Sequence, residues 1–233
     1  MELPLLQEEV IPDLWTEYKK TKEYKAGADQ AIPAHHRLVE RREIEGLRSI
    51  YKRFVKTLDA NRDIREELKN RSVGEWLDEW WEMHTLLFGK VLRECGAFRQ
   101  KDVRFGSPWD DWGIPDYISV TRQASELAHE ISNNLKVSYE SDWEKYQVLA
   151  KIHFEFVRIH PFVDGNGRIA RAVVDQIAIC FGYPPAIGGY PRNTFERRDE
   201  YHKAMRSCIG DRECRGLAKW IKGYVEKRIE MIA

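Results

Sequence analysis

Residues 160–171 read HPFVDGNGRIAR and bring together four side chains whose chemistry suits phosphate transfer. His160 can take up a proton near neutral pH. Asp164 is the kind of carboxylate that holds one side of a Mg²⁺ ion. Arg168 and Arg171, three residues apart, predict two guanidinium groups on one face of a helix, where they suit phosphate oxygens. Together these side chains predict transfer from a nucleoside triphosphate to a hydroxyl acceptor.

The tripeptide Gly165-Asn166-Gly167 within this segment predicts a turn into a new helix. Its glycines let the backbone turn successive N–H groups inward, and N–H groups at a helix start form a concavity for phosphate. Asn166 offers one more donor and one more acceptor. A Gly-Asn-Gly turn alone is common, and a His-Pro pair often only ends a helix. Seven constrained positions within twelve residues favour a chemical site.

The elements that must hold this segment are predicted to be helices, because apolar residues recur at helical spacing on both sides of it. Residues 143–159 are apolar nearly all round and predict the central buried helix. Phe162 is expected to return into the core, and His84 to be a core histidine. The predicted helices are 38–58, 76–92, 123–133, 143–159, one from about 168 to Gly182, 194–208 and 216–232.

Two segments break this helical pattern. Residues 103–120 carry two glycines and two prolines and predict a short hairpin or ordered loop. Residues 182–193 predict a second irregular connection. Trp109 and Trp112 lie among the turn residues of the first segment, so we expect them to be at least partly exposed. They either contact a partner or anchor the hairpin on its own domain.

Composition narrows the class of partner and the location. The chain has 38 Lys and Arg residues and 38 Asp and Glu residues, so no overall basic field indicates nucleic acid or an anionic membrane. The N-terminal residues lack the lysines of a signal peptide, and no stretch is long enough to span a membrane. A cytoplasmic protein is predicted, with secretion as an effector left open. The four cysteines form no Cys-x-x-Cys pair and are expected as reduced thiols.

The segment from His160 to Arg171 matches the HxFx(D/E)GNGRxxR signature of the Fic (Fido) family at every defined position. Residues 86–103 are similar to the segment that leads to the family's target-binding flap, and HFEFVRIHPF resembles its central helix. The resemblance covers about residues 75–225. It implies a largely helical fold and transfer of AMP from ATP to a Ser, Thr or Tyr hydroxyl of another protein.

The resemblance also implies a role for each motif position. His160 becomes the general base for the target hydroxyl, and Asp164 becomes the Mg²⁺ ligand. The nucleotide-binding positions are Gly165, Asn166 and Gly167 on the α-phosphate side, and Arg168 and Arg171 on the outer phosphates. Both motif glycines are kept, which favours nucleotidyl transfer over transfer of phosphate or phosphocholine.

Residues 41–47, RREIEGL, resemble the family's inhibitory helix, whose pattern is (S/T)xxxE(G/N). The glutamate of that pattern, here Glu45, is implied to pair with Arg171 and to displace the γ-phosphate. Arg41 stands where the pattern has Ser or Thr. Gly46 costs about 1 kcal/mol inside a helix relative to alanine, which indicates a close approach there. The alternative is a solvated charged face.

Residues 193–205 resemble the helix that borders the base pocket in the family. Tyr201 in this segment is predicted either to stack on adenine or, as an aromatic at helical spacing, to belong to the core.

The sequence thus predicts a mostly α protein, a Fic-type helical bundle with a short β-hairpin flap. Residues 1–70 form an N-terminal extension with an inhibitory helix at about 38–58, and residues 71–233 form the Fic domain. The expected partners are ATP, Mg²⁺ and a protein target, with no nucleic acid, no membrane and homo-oligomerisation left open. The alternatives are another donor, such as UTP or a phosphocholine diester, or a silent Fic-like binding module. The presence of both His160 and Asp164 argues against a catalytically silent module.

Overall fold

The computed structural model describes residues 36–59, 64–90, 92, 95–103, 112–188 and 195–232. Within these ranges the backbone forms helices and their connections, with an isolated bridge at Leu92 and no β-strand. The helices are α1 (His36–Asp59), α2 (Ile64–Asn70), α3 (Val73–Phe88), α4 (Tyr117–Lys136), α5 (Asp142–Ile159), α6 (Asn166–Cys180), α7 (Phe195–Arg206) and α8 (Arg215–Ile232). The mostly α fold and all seven predicted helices are confirmed.

Two differences from the predicted elements have local causes. Helix α4 begins at Tyr117 because the Asp116 side chain accepts a hydrogen bond from Ser119 N at 2.9 Å. The end of the predicted loop 103–120 is therefore helical. Residues 104–111 lie outside the described residues, so the hairpin flap stays a prediction. Helix α2 is only seven residues long, too short to show a periodic pattern in the sequence.

Helices α5 and α6 form the centre of the bundle and carry the 160–171 segment between them. Helix α5 begins with a capping box in which Ser141 and Glu144 bind each other's backbone N–H groups. Helix α6 is buried along nearly its whole length. The turn that joins them is therefore fixed at both ends by buried helices, as a site that needs stable geometry requires.

Helix α1 lies against α3, and a glycine makes the close approach possible. A Cβ on Gly46 would overlap the main chain of Leu86 and Leu87. The close approach expected from Gly46 is thus confirmed. At the end of α3, Arg42 Nη1 donates to the Lys90 carbonyl oxygen at 2.8 Å. The N-terminal helix is therefore packed on the rest of the bundle.

A buried polar cluster ties α1 to α6 as well. Tyr51 Oη donates to Asp175 Oδ2 at 2.6 Å, and the same carboxylate accepts from the backbone N–H groups of residues 186–188. Burial raises the pKa of the Asp175 carboxyl above its usual value. A Cβ on Gly188 would overlap the Tyr51 hydroxyl, so glycine is needed for this approach. The connection after α6 is fixed by these bonds.

The expectation of four reduced thiols is wrong for two of them. Cys208 and Cys214 form a disulfide that closes the turn between α7 and α8, while Cys95 and Cys180 are free thiols. Their six-residue separation brings the Cα atoms to 4.3 Å once the turn forms, a proximity that spacing alone does not reveal. None of the helices in the described ranges is both long and apolar enough to cross a membrane.

Candidate active site at the start of helix α6

His160 ends helix α5 in an unusual backbone conformation. Its φ and ψ are 51° and 57°, the left-handed region that non-glycine residues seldom occupy. The ring nitrogen Nδ1 lies 3.2 Å from the Val157 carbonyl oxygen. Because a carbonyl only accepts, Nδ1 carries the proton and the lone pair resides on Nε2. The left-handed turn and this hydrogen bond together fix the ring and its tautomer.

The ring of His160 is neutral over the physiological pH range. Burial lowers its pKa to about 4, the dominant effect, and Arg99 lowers it further. The Val157 carbonyl and Asp164 act in the opposite direction. A neutral imidazole with its lone pair on Nε2 can accept a proton from a hydroxyl group.

The loop after His160 is shaped by Phe162 and Asn166. Phe162 is fully buried and stacks on His84 with 4.3 Å between ring centres, so both expected core positions are confirmed. The Asn166 side chain is buried and binds both backbone groups of Phe162 at 2.8 Å. This amide therefore braces the loop instead of pointing at a ligand. Gly165 has φ of 80°, and a Cβ there would overlap the Phe88 ring.

Helix α6 begins with an open N-terminus. Gly165 is its N-cap residue, and no side chain of the described residues caps the helix. The first helical bonds run from Arg168 N and Ile169 N to the Gly165 carbonyl oxygen. The N–H groups of Asn166 and Gly167 precede those bonds and point out of the helix end. This arrangement, together with the helix dipole, suits an anion such as phosphate.

Asp164 lies beside this helix start and is partly exposed. Its Oδ1 accepts from Gly165 N at 2.5 Å and lies 3.4 Å from Arg168 Nη2. No cluster of three or more metal-binding side chains occurs among the described residues. One carboxylate still fits Mg²⁺, because this ion is commonly held by one or two carboxylates, water and the phosphates of a bound nucleotide.

Arg168 pairs with a glutamate of helix α1. Its Nη1 lies 2.7 Å from Glu43 Oε2; the Glu43 side chain is buried, and that of Arg168 is only slightly exposed. Its guanidinium also lies over the Phe88 ring, 4.9 Å from the ring centre. The first motif arginine is thus held between α1 and α3. The pattern (S/T)xxxE(G/N) does not single out Glu43, because it selects Glu45.

The predicted Glu45–Arg171 pair is corrected by these contacts. Glu45 is exposed, and its carboxylate lies 3.9 Å from Lys90 Nζ. The inward face of α1 carries Glu43, Gly46 and Leu47. Two residues correspond to about 200° of helical rotation, so Glu45 lies on nearly the opposite side from Glu43. The carboxylate that reaches the motif therefore comes from Glu43, and its partner is Arg168.

Arg171 is buried one turn further along α6, and its guanidinium lies 5.8 Å from the centre of the Tyr201 ring. Tyr201 is itself buried, with its hydroxyl 2.9 Å from His153 Nε2 and its ring packed edge-on against Trp220. Of the two interpretations of Tyr201, the core position is confirmed. A ring enclosed by its own domain has no open face for adenine, so its link to the site runs through Arg171.

Trp112 is buried and packs near Phe154, with 6.0 Å between ring centres. The expected exposure of this tryptophan is therefore wrong, and it anchors its segment on helix α5. Burial of a large apolar ring stabilises the folded state by about 2 kcal/mol or more, which favours the buried position of Trp112 over an exposed one. Trp109 lies outside the described residues.

The chain is similar to proteins of one family. Residues 76–178 match the family model described as the Fic/DOC family. The chain is 30% identical over 151 residues to "Protein adenylyltransferase Fic" of Drosophila willistoni, and 32% identical over 153 residues to the protein of the same name of Drosophila mojavensis. Each match covers 64% of this chain but only 28% and 27% of the relatives. The chain thus spans about a quarter of their length.

Solved structures share the fold. A Fic domain containing signaling protein from Bacteroides thetaiotaomicron superposes with a TM-score of 0.64 at 14% identity, covering 85% of this chain and 73% of that protein. Fic-1 of C. elegans superposes with a TM-score of 0.59 at 24% identity, covering 88% of this chain and 56% of that one. The helical arrangement around the 160–171 segment is therefore one already seen in Fic domains.

Proposed function

We propose that this protein transfers AMP from ATP to a Ser, Thr or Tyr hydroxyl of a protein target, because residues 76–178 match the family model described as the Fic/DOC family. The names of the Drosophila relatives support this activity. The observation that carries it is the pairing of a neutral, oriented His160 with an open helix N-terminus five residues later. A base and a phosphate site held by the same buried turn are the two parts that the reaction needs.

In the proposed reaction, Nε2 of His160 takes the proton of the target hydroxyl. The hydroxyl oxygen forms a bond to the α-phosphorus of ATP, and the bond from that phosphorus to the oxygen bridging to the β-phosphate breaks. Pyrophosphate leaves with the electron pair, and AMP remains joined to the target. The N–H groups of Asn166 and Gly167 hold phosphate oxygens at the start of α6.

Asp164 is the proposed Mg²⁺ ligand at this site. A bound Mg²⁺ would neutralise charge on the phosphates and so aid departure of pyrophosphate. The Asp164 carboxylate stands beside the proposed phosphate position and is held there by Gly165 N and Arg168. Arg168 and Arg171 are proposed to orient the outer phosphates from the same helix face.

We also propose that helix α1 restrains this activity through Glu43. Its carboxylate bonds to the Arg168 guanidinium at 2.7 Å, and the outer phosphates of ATP are proposed to use the same donors. While the pair persists, the β- and γ-phosphates cannot take their positions and the α-phosphate is not aligned with His160. In this proposal the inhibitory role belongs to Glu43 and not to Glu45, whose exposed carboxylate lies beside Lys90.

The predicted location and assembly are also proposals. Cytoplasmic residence is proposed from the sequence. Homo-oligomerisation is left for a measurement of molar mass in solution.

The proposed function is tested by incubating the protein with Mg²⁺ and ATP, UTP or GTP and weighing the intact protein. Self-modification serves as the readout because the target is unknown, and the Glu43→Gly variant is used beside wild type to relieve the restraint. We expect an adduct with the mass of AMP, from ATP only. An adduct of UMP, or none with any donor in either protein, would overturn the proposal.

A further inference from the structure

Arg99 lies in the connection between α3 and α4, and its side chain is completely buried. An isolated buried guanidinium is strongly unfavourable, so its donors must be used. Burial accordingly lowers the pKa of Arg99, while Asp102 and Asp116 act in the opposite direction. A fully buried arginine that binds no buried carboxylate closely is unusual, and its hydrogen-bond partners explain how its charge is accommodated.

Those partners are mostly main-chain carbonyl groups. Nε donates to the His160 carbonyl oxygen at 2.8 Å, Nη1 to that of Lys101 at 2.9 Å, and Nη2 to that of Pro115 at 2.6 Å. The backbone N–H of Arg99 also donates to the Pro161 carbonyl oxygen at 2.8 Å. One residue therefore holds two consecutive carbonyl groups of the turn that carries His160.

This turn needs such support because His160 has a left-handed backbone. A non-glycine residue in that conformation is strained and persists only where its surroundings hold it. The carbonyl groups at the end of α5 also lack helical partners. By binding the carbonyl groups of His160 and Pro161, Arg99 fixes both peptide planes and with them the direction of the His160 side chain.

Two other bonds of Arg99 connect this turn to a different part of the chain. The carbonyl group of Lys101 is local, because Lys101 lies close to Arg99 in the sequence. The carbonyl group of Pro115 belongs to the start of α4, because Pro115 directly precedes Asp116, the N-cap residue of that helix. Asp102 in turn accepts from Tyr117 N at 2.8 Å. The guanidinium thus joins the end of α5 to the start of α4.

We propose that Arg99 is a positioning residue for His160, holding its imidazole at the place where it meets the target hydroxyl. The proposal rests on the transfer reaction proposed above for its kinetic readout only. Lysine cannot replace arginine here, because an ammonium group lacks the planar fork that reaches three carbonyl groups at once.

The test compares Arg99→Gln and Arg99→Lys with wild type, and Arg122→Gln serves as the control. Arg122 is exposed on α4 and pairs with Glu126 on the same helix. The readouts are thermal unfolding, affinity for Mg·ATP, the maximal rate of AMP transfer, and the pH titration of the His160 ring by NMR. The last readout needs no activity, so it separates failure of this proposal from failure of the proposed function.

In folded Arg99 variants we expect the transfer rate to fall about 100-fold, as for a displacement of about 1 Å near the reacting atoms. Affinity for Mg·ATP stays within about twofold, because none of the hydrogen bonds of Arg99 described above reaches α6, the helix that carries the proposed phosphate site. Among the described residues, the charged groups that act on the His160 ring are Arg99 and Asp164. The NMR titration of His160 therefore moves to higher pH in Arg99→Gln and less in Arg99→Lys, which keeps the charge.

An unchanged rate in a folded Arg99→Gln variant, or a loss of ATP affinity as large as the loss of rate, would overturn the proposal. So would an unchanged His160 titration in that variant. If Arg99→Gln does not fold, Arg99→Lys carries the test with the same criteria. Failure of both to fold would show Arg99 to be a requirement of folding and would also count against a positioning role.

Discussion

Glu43 and Arg168 are 125 residues apart in the chain, and their side chains meet at 2.7 Å. The pair joins helix α1 to the first turn of α6, where both side chains are withdrawn from solvent. It connects the N-terminal helix directly to the proposed phosphate site.

Replacing Glu43 with glycine is expected to raise AMP incorporation at saturating Mg·ATP. A hydrogen bond between charged groups contributes about 1.5–3 kcal/mol, so removing it permits an increase of about 10- to 100-fold. Radiolabel incorporation or intact mass measures the change. Glu45→Gly is the matched control and should match wild type, because the exposed Glu45 lies beside Lys90. An increase confined to Glu45→Gly would return the role to that residue.

His160→Asn is expected to abolish transfer while preserving the fold and ATP binding. Asparagine tolerates the left-handed backbone better than other non-glycine residues, so it tests the base with less strain than alanine. The rate should fall by about 100-fold or more, as for loss of a general base. Calorimetry measures ATP affinity, and intact mass measures transfer. Transfer at the wild-type rate would remove His160 from the reaction.

Stability is expected to fall as the pH is lowered from about 6.5 to about 4. Burial lowers the pKa of both His84 and His160 to about 4, so in this window the unfolded chain binds protons that the folded chain does not. Each histidine contributes a slope of about 1.4 kcal/mol per pH unit near the middle of the window. Urea unfolding at about pH 7 and about pH 5 measures the slope.

The matched variants for this slope are His84→Gln and His129→Gln. The first removes one buried imidazole and should make the dependence shallower by about one proton. The second alters an exposed histidine of α4 and serves as the control. Equal slopes in all three proteins would contradict the prediction.

Tyr201 is expected to act on ATP binding through Arg171. Tyr201→Phe keeps the ring, and it should lower the free energy of unfolding by about 1 kcal/mol with ATP affinity unchanged, because the hydrogen bond to His153 is lost while the ring beside Arg171 stays. Tyr201→Leu removes the ring beside Arg171, a contact worth about 0.5–2 kcal/mol, and should weaken ATP binding about 3- to 30-fold. Inorganic tripolyphosphate should lose the same factor. If Tyr201→Leu binds tripolyphosphate as tightly as wild type does, the result would indicate that Tyr201 contacts the adenine base of ATP instead.

The helices around the site were predictable because strong periodic patterns fix their faces. The same periodicity held the information that separates Glu43 from Glu45. Leu47, Ile50 and Tyr51 are buried, and counting back four residues from Leu47 reaches Glu43. The family pattern pointed to Glu45 because it matches residue types along the sequence. It does not consider which face of the helix each residue occupies in this chain.

Other features depend on contacts that no local pattern encodes. The bonds of Arg99 reach residues 115 and 160, and the surrounding sequence looks like an ordinary connection. Asn166 has the residue type of a phosphate ligand, yet its side-chain amide is already hydrogen-bonded to the backbone of Phe162 within the turn. The Cys208–Cys214 bond depends on the turn between α7 and α8. Long-range geometry decides each of these cases.

The attachment of α1 to α6 at two points has a mechanical consequence. Glu43 meets Arg168 and Tyr51 meets Asp175, in the same order along both helices. Eight residues of helix separate the two contacts on α1, a distance of about 12 Å. Loss of the first contact leaves the second in place, with Gly188 packed against the Tyr51 hydroxyl. Helix α1 therefore keeps one attachment to α6 when the other is broken, so displacement of Glu43 by a nucleotide does not by itself detach the helix.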